Sequence, residues 1–237
     1  MIDSGKICYI TYTNSKCSDI WEMFLIEQKK YSSIPLYFIS DSVVLNEKEN
    51  TLLYENGEPY FESWVRSLSS IPYEYFIYLQ EDFILYDHVN QEKINQYLNF
   101  LKTNQEFSFI RLLKSGSLNQ NKVLDTLYEI ESTNSDIFSM QATIWRKDDY
   151  VKIMNGTKNK IWLENETYRD FMIQNNLKGL YHYDGESKRG LNHYDSTVYP
   201  YIATALVRGK WNMSEYGNEL SIPINEHGID VNIRGIY

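Results

Sequence analysis

Tyr75-Phe76-Ile77-Tyr78-Leu79-Gln80-Glu81-Asp82-Phe83 is the stretch on which the reading of the fold turns. Its first five residues are apolar without alternation, aromatic and β-branched, and too few for a helix, so they predict a strand covered on both faces. The residues that follow place two adjacent carboxylates at that strand's carboxyl end.

Upstream, the same signal occurs twice. Lys6 to Thr13 reads as a strand running into the polar loop Asn14 to Asp19, and Ile34 to Ile39 as a second strand ending at Ser40, Asp41 and Ser42. Ile20, Trp21, Phe24 and Leu25, after a cap at Ser18, predict a helix between these strands, ending near Lys29 and Lys30. Tyr60, Phe61, Trp64, Val65 and Leu68 predict another before Pro72. Downstream, Asn90 caps a helix carrying Ile94, Tyr97, Leu98 and Leu101, and Phe107 to Leu113 is a further strand. Continuous apolar strands separated by helices predict an α/β fold with a Rossmann-like, mostly parallel sheet flanked by helices. After Lys114 the pattern loosens: a polar loop over Ser115 to Asn121, strands over 126–130 and 137–145, a helix over 164–174, then a loop-rich tail from Gly179. No repeat or linker divides the chain, so 1–237 reads as one domain with two halves, 1–113 and 114–237.

The chain has 237 residues, with 23 Lys and Arg against 32 Asp and Glu, a net −9. That sign argues against a nucleic-acid partner. With 21 Tyr, 15% aromatics, 11 Gly and 5 Pro, collagen-like repeats and wholesale disorder are excluded. No apolar run is long enough to span a membrane, and the N-terminus lacks the pattern of a signal peptide, so the expected location is cytoplasmic. Cys8 and Cys17 show no metal-ligand spacing and read as reduced thiols, Cys8 packed.

Ligands of open α/β sheets bind at the carboxyl edge of the strands, where Glu81 and Asp82 fall. Adjacent carboxylates are costly unless water, hydrogen bonds or a cation takes up their charge, and a hard divalent ion would also leave positions for phosphate oxygens. The plainer reading is that they open a solvated turn.

A first strand ending in a polar loop, a second ending in Asp and a third running into an acidic pair resemble the nucleotide-sugar half of a GT-A glycosyltransferase. YFIYLQEDFIL is similar to the DxD region of that fold, although Gln80 stands where the first acid would be. The resemblance implies Mn²⁺ or Mg²⁺ at Asp82, with Glu81 as a second ligand. It implies contacts from Thr11 and Asp41 to uracil or another base, with Ser63 and Arg66 nearby. The expected donor is a UDP- or GDP-linked sugar and the acceptor a glycan or other hydroxyl compound.

In the second half, Gly190 to Tyr201 and Val207 to Asn212 resemble the closing segment of some bacterial and viral members. There His193 is a candidate third ligand, and Arg208 and Lys210, flanking Gly209, are candidates to cover a diphosphate. Glu164 and Glu166 sit at a predicted helix start, where similar positions of inverting members hold the general base; acids are also simply favoured there. Gln141, Trp145 and Tyr194 are candidates for the acceptor site, Trp145 being better suited to the core. P-loop, GxGxxG, HExxH and GxSxG signatures are missing. The readings are therefore a metal-assisted glycosyltransferase, a carbohydrate-binding protein on the same fold, and a metal-dependent nucleotidyltransferase.

Overall fold

The computed structural model describes residues 7–115, 121–158, 166–190 and 192–237. Its strands are β1 Ile7–Tyr12, β2 Leu36–Ser40, β3 Thr51–Leu53, β4 Tyr75–Leu79, β5 Ile84–Leu85, β6 Phe107–Arg111, β7 Asn121–Leu124, β8 Leu127–Ile130, β9 Thr143–Arg146 and β10 Lys178–His182, followed by the short pairs β11 Lys188–Arg189, β12 His193–Tyr194, β13 Tyr201–Ile202, β14 Leu206–Val207 and β15 Lys210–Trp211. The helices are α1 Ser18–Tyr31, α2 Tyr60–Ser70, α3 Gln91–Thr103, α4 Lys147–Thr157, α5 Glu166–Gln174, α6 Met213–Glu226 and α7 Val231–Arg234.

Nine strands form one sheet in the order β3-β2-β1-β4-β9-β6-β10-β8-β7. β3, β2, β1 and β4 pair in parallel, as do β6 and β10, while β9 runs antiparallel between β4 and β6 and β8 antiparallel beside β10. The expected α/β, mostly parallel sheet is thus present, and one sheet runs through both halves. Because side chains alternate along a strand, Ile7 and Tyr9 of β1 enter the layer that holds Phe24 of α1, Leu98 of α3 and Leu220 of α6. Cys8 and Ile10 enter the opposite layer with Trp64 of α2, Tyr150 of α4 and Met172 of α5. Burial on both faces explains the uninterrupted apolar runs.

Local signals are realised unevenly. The Asn90 side chain accepts from Lys93 N at 3.0 Å and caps α3 as expected, whereas Ser18 is the first residue of α1 rather than its cap. The strand expected over 137–145 is shorter: only Thr143–Arg146 pairs, and Ile137, Phe138 and Met140 are buried from irregular chain. Three helices of the second half, α4, α6 and the four-residue α7, were not expected. α4 buries Tyr150, Ile153 and Met154 at helical spacing, and α6 contains Pro223 and a non-helical Tyr216 (φ −126°), breakers that mask its pattern.

The loop after β10 is anchored by His182, which is 1% exposed. Its Nδ1 lies 2.7 Å from the Tyr97 hydroxyl, and its Nε2 donates to Glu186 Oε1 at 2.6 Å. Burial pushes the Glu186 carboxyl up, but the His182 imidazole and the Asp184 N–H outweigh it and bring it down to about 2. A lowered carboxyl stabilises the fold above its ordinary pKa and loses that contribution as pH falls through its folded value. Glu186→Gln is therefore expected to cost about 1–3 kcal/mol at pH 7. In urea titrations the difference from wild type should shrink from about pH 4.5 and vanish near pH 2; a constant difference across that range would contradict the assignment.

Candidate functional site

The carboxyl ends of β1 and β4, the β14–β15 hairpin and Arg234 of α7 enclose a cavity of about 360 Å³. Its floor is the turn after β4, closed by Phe83 N–H to Gln80 O at 3.1 Å, and Glu81 and Asp82 line it. The chain just beyond the acids is held by the C-terminal segment: β5 pairs with β13, matching Ile84 to Ile202 and Leu85 to Tyr201. Asp82 itself is tied to the approach of β14, its carbonyl accepting from Ala205 N at 3.4 Å and its Oδ2 from Leu206 N at 3.3 Å. The loop-rich tail therefore builds the second wall of the site.

Burial first, then the neighbouring Glu81 charge, pushes the Asp82 carboxyl up to about 7 against the pull of the Leu206 N–H. Burial likewise raises Glu81, opposed by hydrogen bonds from Cys17 and Thr13. The Cys17 thiol is pushed up to about 12 by burial and the Glu81 charge, which removes it as a nucleophile. Arg234 offsets part of the acidity, but its guanidinium is already committed to Asp19, with Nε to Oδ2 at 2.6 Å, and to Gly209 O at 3.3 Å. This pins the hairpin.

Arg208 and Gly209 occupy the two turn positions of that hairpin with φ of +52° and +77°, the mirror-image turn that suits tightly paired strands. Glycine adopts this freely, whereas arginine there carries strain of about 1 kcal/mol or more. The strained conformation sets Arg208 on the cavity wall, and among the described residues it makes no ion pair. Opposite, half-buried Tyr12 stacks on Tyr54 with ring centroids 5.2 Å apart and 9° between planes, backed by Trp64 at 5.7 Å.

Asp82, Glu81 and Arg208 are thus brought together. Thr11 is buried in β1, one residue short of the cavity. Asp41 accepts from Ser15 N and Oγ at 2.7 and 2.9 Å, securing the turn before α1. Ser63 is buried and meets the Tyr12 hydroxyl at 3.2 Å, so it touches the site only through Tyr12. Arg66 pairs with Glu58 (Nε to Oε1 3.0 Å) and donates to Leu53 O at 2.8 Å. It lines a larger, more open cleft with Glu55, Glu58 and Glu62, which has no aromatic wall and no free cation. Lys210 is exposed and absent from the cavity lining.

His193 also lies outside the lining. Burial lowers its imidazole pKa, and its Nε2 accepts from Gln141 Nε2 at 2.8 Å while Gln141 Oε1 accepts from the Tyr201 hydroxyl at 2.8 Å. Trp145, 2% exposed, packs 4.4 Å from Phe109 in the core. Tyr194 is half-buried against Lys114. Glu166 opens α5 as an exposed side chain 3.9 Å from Arg169, away from the cavity lining, and Glu164 lies outside the described residues. Tyr12, Cys17 and Arg234 are site residues that the sequence reading does not assign to it; only the position of Tyr12 at a strand's carboxyl end signals a ligand edge.

Two consecutive carboxylates, both raised by burial, suit a hard divalent cation, which would favour their charged forms. They would supply two ligands at most from this turn, leaving the other positions to water or phosphate oxygens. Elsewhere among the described residues one cluster of three metal-ligand types occurs, Glu27, Glu226 and His227, and there Lys30 Nζ already lies 3.3 and 3.1 Å from the two glutamates.

No described helix is long and apolar enough to cross a membrane. No known family profile and no curated protein matches the chain. Among solved structures, a cytidylyltransferase from Leptospira borgpetersenii serovar Hardjo-bovis is 11% identical, with a TM-score of 0.47 over 98% of this chain and 99% of that one. CMP:2-keto-3-deoxy-manno-octonic acid synthetase complexed with CTP is 8% identical, TM-score 0.44, over 74% and 88%. Residues 1–349 of S. aureus TarS are 15% identical, TM-score 0.44, over 75% and 60%.

Proposed function

We propose that the protein is a GT-A-like glycosyltransferase that moves a sugar from a nucleotide diphosphate to a hydroxyl acceptor with the help of a divalent cation. The observation that carries this is the pair Glu81 and Asp82 after β4, lining one cavity with Arg208 and Tyr12. In this reading Asp82, with Glu81, holds Mn²⁺ or Mg²⁺, whose chemistry is to neutralise charge building on the leaving diphosphate. Arg208 adds a fixed positive group from the hairpin, and Arg234 keeps that hairpin in place through Gly209 O. Tyr12, its ring stacked by Tyr54 and Trp64, gives the cavity a stiff aromatic wall beside which a UDP or GDP donor lies.

The test is incubation with a panel of UDP- and GDP-sugars, Mn²⁺ and mixed glycan acceptors, followed by chromatography of the nucleotides. Release of the nucleoside diphosphate from one donor is expected. Pyrophosphate release from a nucleoside triphosphate, with every nucleotide sugar left intact, would overturn the reading in favour of nucleotidyl transfer. Glycan binding without turnover of any donor would overturn it in favour of a binding protein.

A further inference from the structure

Lys114 is 8% exposed, and its ammonium lies 4.5 Å from the ring centre of Tyr183 and 4.8 Å from that of Tyr194. Among the described residues no carboxylate pairs with it, and no carbonyl or hydroxyl accepts its three N–H groups. Arg111, the buried cation three residues earlier, contrasts: it donates to Ser115 Oγ at 2.6 Å and to the Asp136 carbonyl. Aromatic faces attract an ammonium but accept its protons poorly, so Lys114 is left with donors unused. The phenol hydroxyls of Tyr183 and Tyr194 likewise find no partner among the described residues.

The group is held in a fixed arrangement. Tyr194 N donates to Lys114 O at 3.1 Å, Tyr183 N to Thr126 O at 2.9 Å, and the two rings meet edge to face at 5.5 Å. Its position matters as much as its chemistry. Lys114 follows β6 and Tyr183 follows β10, strands that run the same way as β4, so they leave the sheet at the edge that carries Glu81 and Asp82. Only β9 separates β4 from β6, a lateral distance of about 10 Å. A chain of contacts links the two places: Phe83, next to Asp82, packs 5.0 Å from Tyr201, whose hydroxyl meets Gln141, which in turn meets His193 beside Tyr194.

We propose that Lys114, Tyr183 and Tyr194 form a subsite for a sugar carrying an anionic group, carboxylate or phosphate. The ammonium takes the anion and the phenols take hydroxyls. Resting on the transferase reading above, this makes the acceptor an acidic sugar.

Ligand-observed NMR titrations test it with methyl β-glucuronide, glucose 6-phosphate and the neutral methyl β-glucoside. One of the two charged sugars should bind at least about tenfold more tightly than the neutral one, and whichever does identifies the anion. Lys114→Gln should abolish that preference and Lys114→Arg should keep most of it. Equal binding of charged and neutral sugars by the wild type, or no binding of either charged sugar, overturns the proposal even if the glutamine variant fails to fold. A preference that survives Lys114→Gln overturns it as well. Thermal shift with UDP and with GDP, each with Mn²⁺, on the same samples separates the two claims. Charge preference without binding of either nucleotide leaves this subsite standing and removes the transferase reading; binding of one nucleotide without charge preference does the reverse.

Discussion

Asp82→Asn is expected to lower kcat/KM with the productive donor by about 10³-fold, the scale of losing a principal stabiliser of transition-state charge. Asparagine keeps the shape and can still accept from Leu206 N, so what it removes is the charge proposed to hold the cation. Stability should move the other way. The Asp82 carboxyl is held up to about 7 against an ordinary 3.8, so between those values the folded state keeps a proton that the unfolded chain releases. Folding is therefore penalised progressively as pH rises through that window, and the full penalty, on the order of a few kcal/mol, is present above it. The metal-free variant should melt above metal-free wild type at pH 8 and equal it near pH 4. A variant that turns over donor normally would remove Asp82 from the mechanism.

Trp64→Ala should be the most damaging single change to the fold. Trp64 is 0% exposed and lies between 5.0 and 6.2 Å from the rings of Tyr12, Tyr60, Phe76, Tyr78 and Tyr150. Emptying that position costs about 3–5 kcal/mol, because five rings cannot collapse into the space together. For a chain of this size that is a fall in Tm of roughly 10 °C. Tyr12, Tyr60 and Tyr78 also line the cavity, so surviving protein should bind donor more weakly. Trp64→Phe should retain most of both properties, and an unchanged Tm for Trp64→Ala would contradict the packing described.

Most of the first half of the fold is legible because its longer elements carry their own signals, whereas β3 and β5, three and two residues long, carry none. β1 and β4 are continuous apolar runs, α2 and α3 have clear stripes, and Asn90 caps α3 through its own side chain. The strand predicted over 137–145 overreaches because Ile137, Phe138 and Met140 are apolar for burial in irregular chain, while β9 itself is set by pairing with distant β4 and β6. α6 was hidden by Gly217 and Pro223, which packing of Leu220 and Ile224 into the core overrides. The site divides the same way. Glu81 and Asp82 are visible where charge follows an apolar strand. Arg234 depends on the C-terminal helix returning to Asp19, and the clamp on Lys114 on two loops meeting, and neither meeting is written in local spacing.

In the proposed mechanism Asp82 binds a cation that in turn binds a nucleotide diphosphate. Calorimetric titration of UDP and GDP into wild type and Asp82→Asn, with and without Mn²⁺, tests it most directly. Mn²⁺ is expected to tighten one nucleotide by about tenfold or more in the wild type and to have no effect in the variant. Nucleotide binding of equal strength in both proteins, indifferent to Mn²⁺, would contradict it.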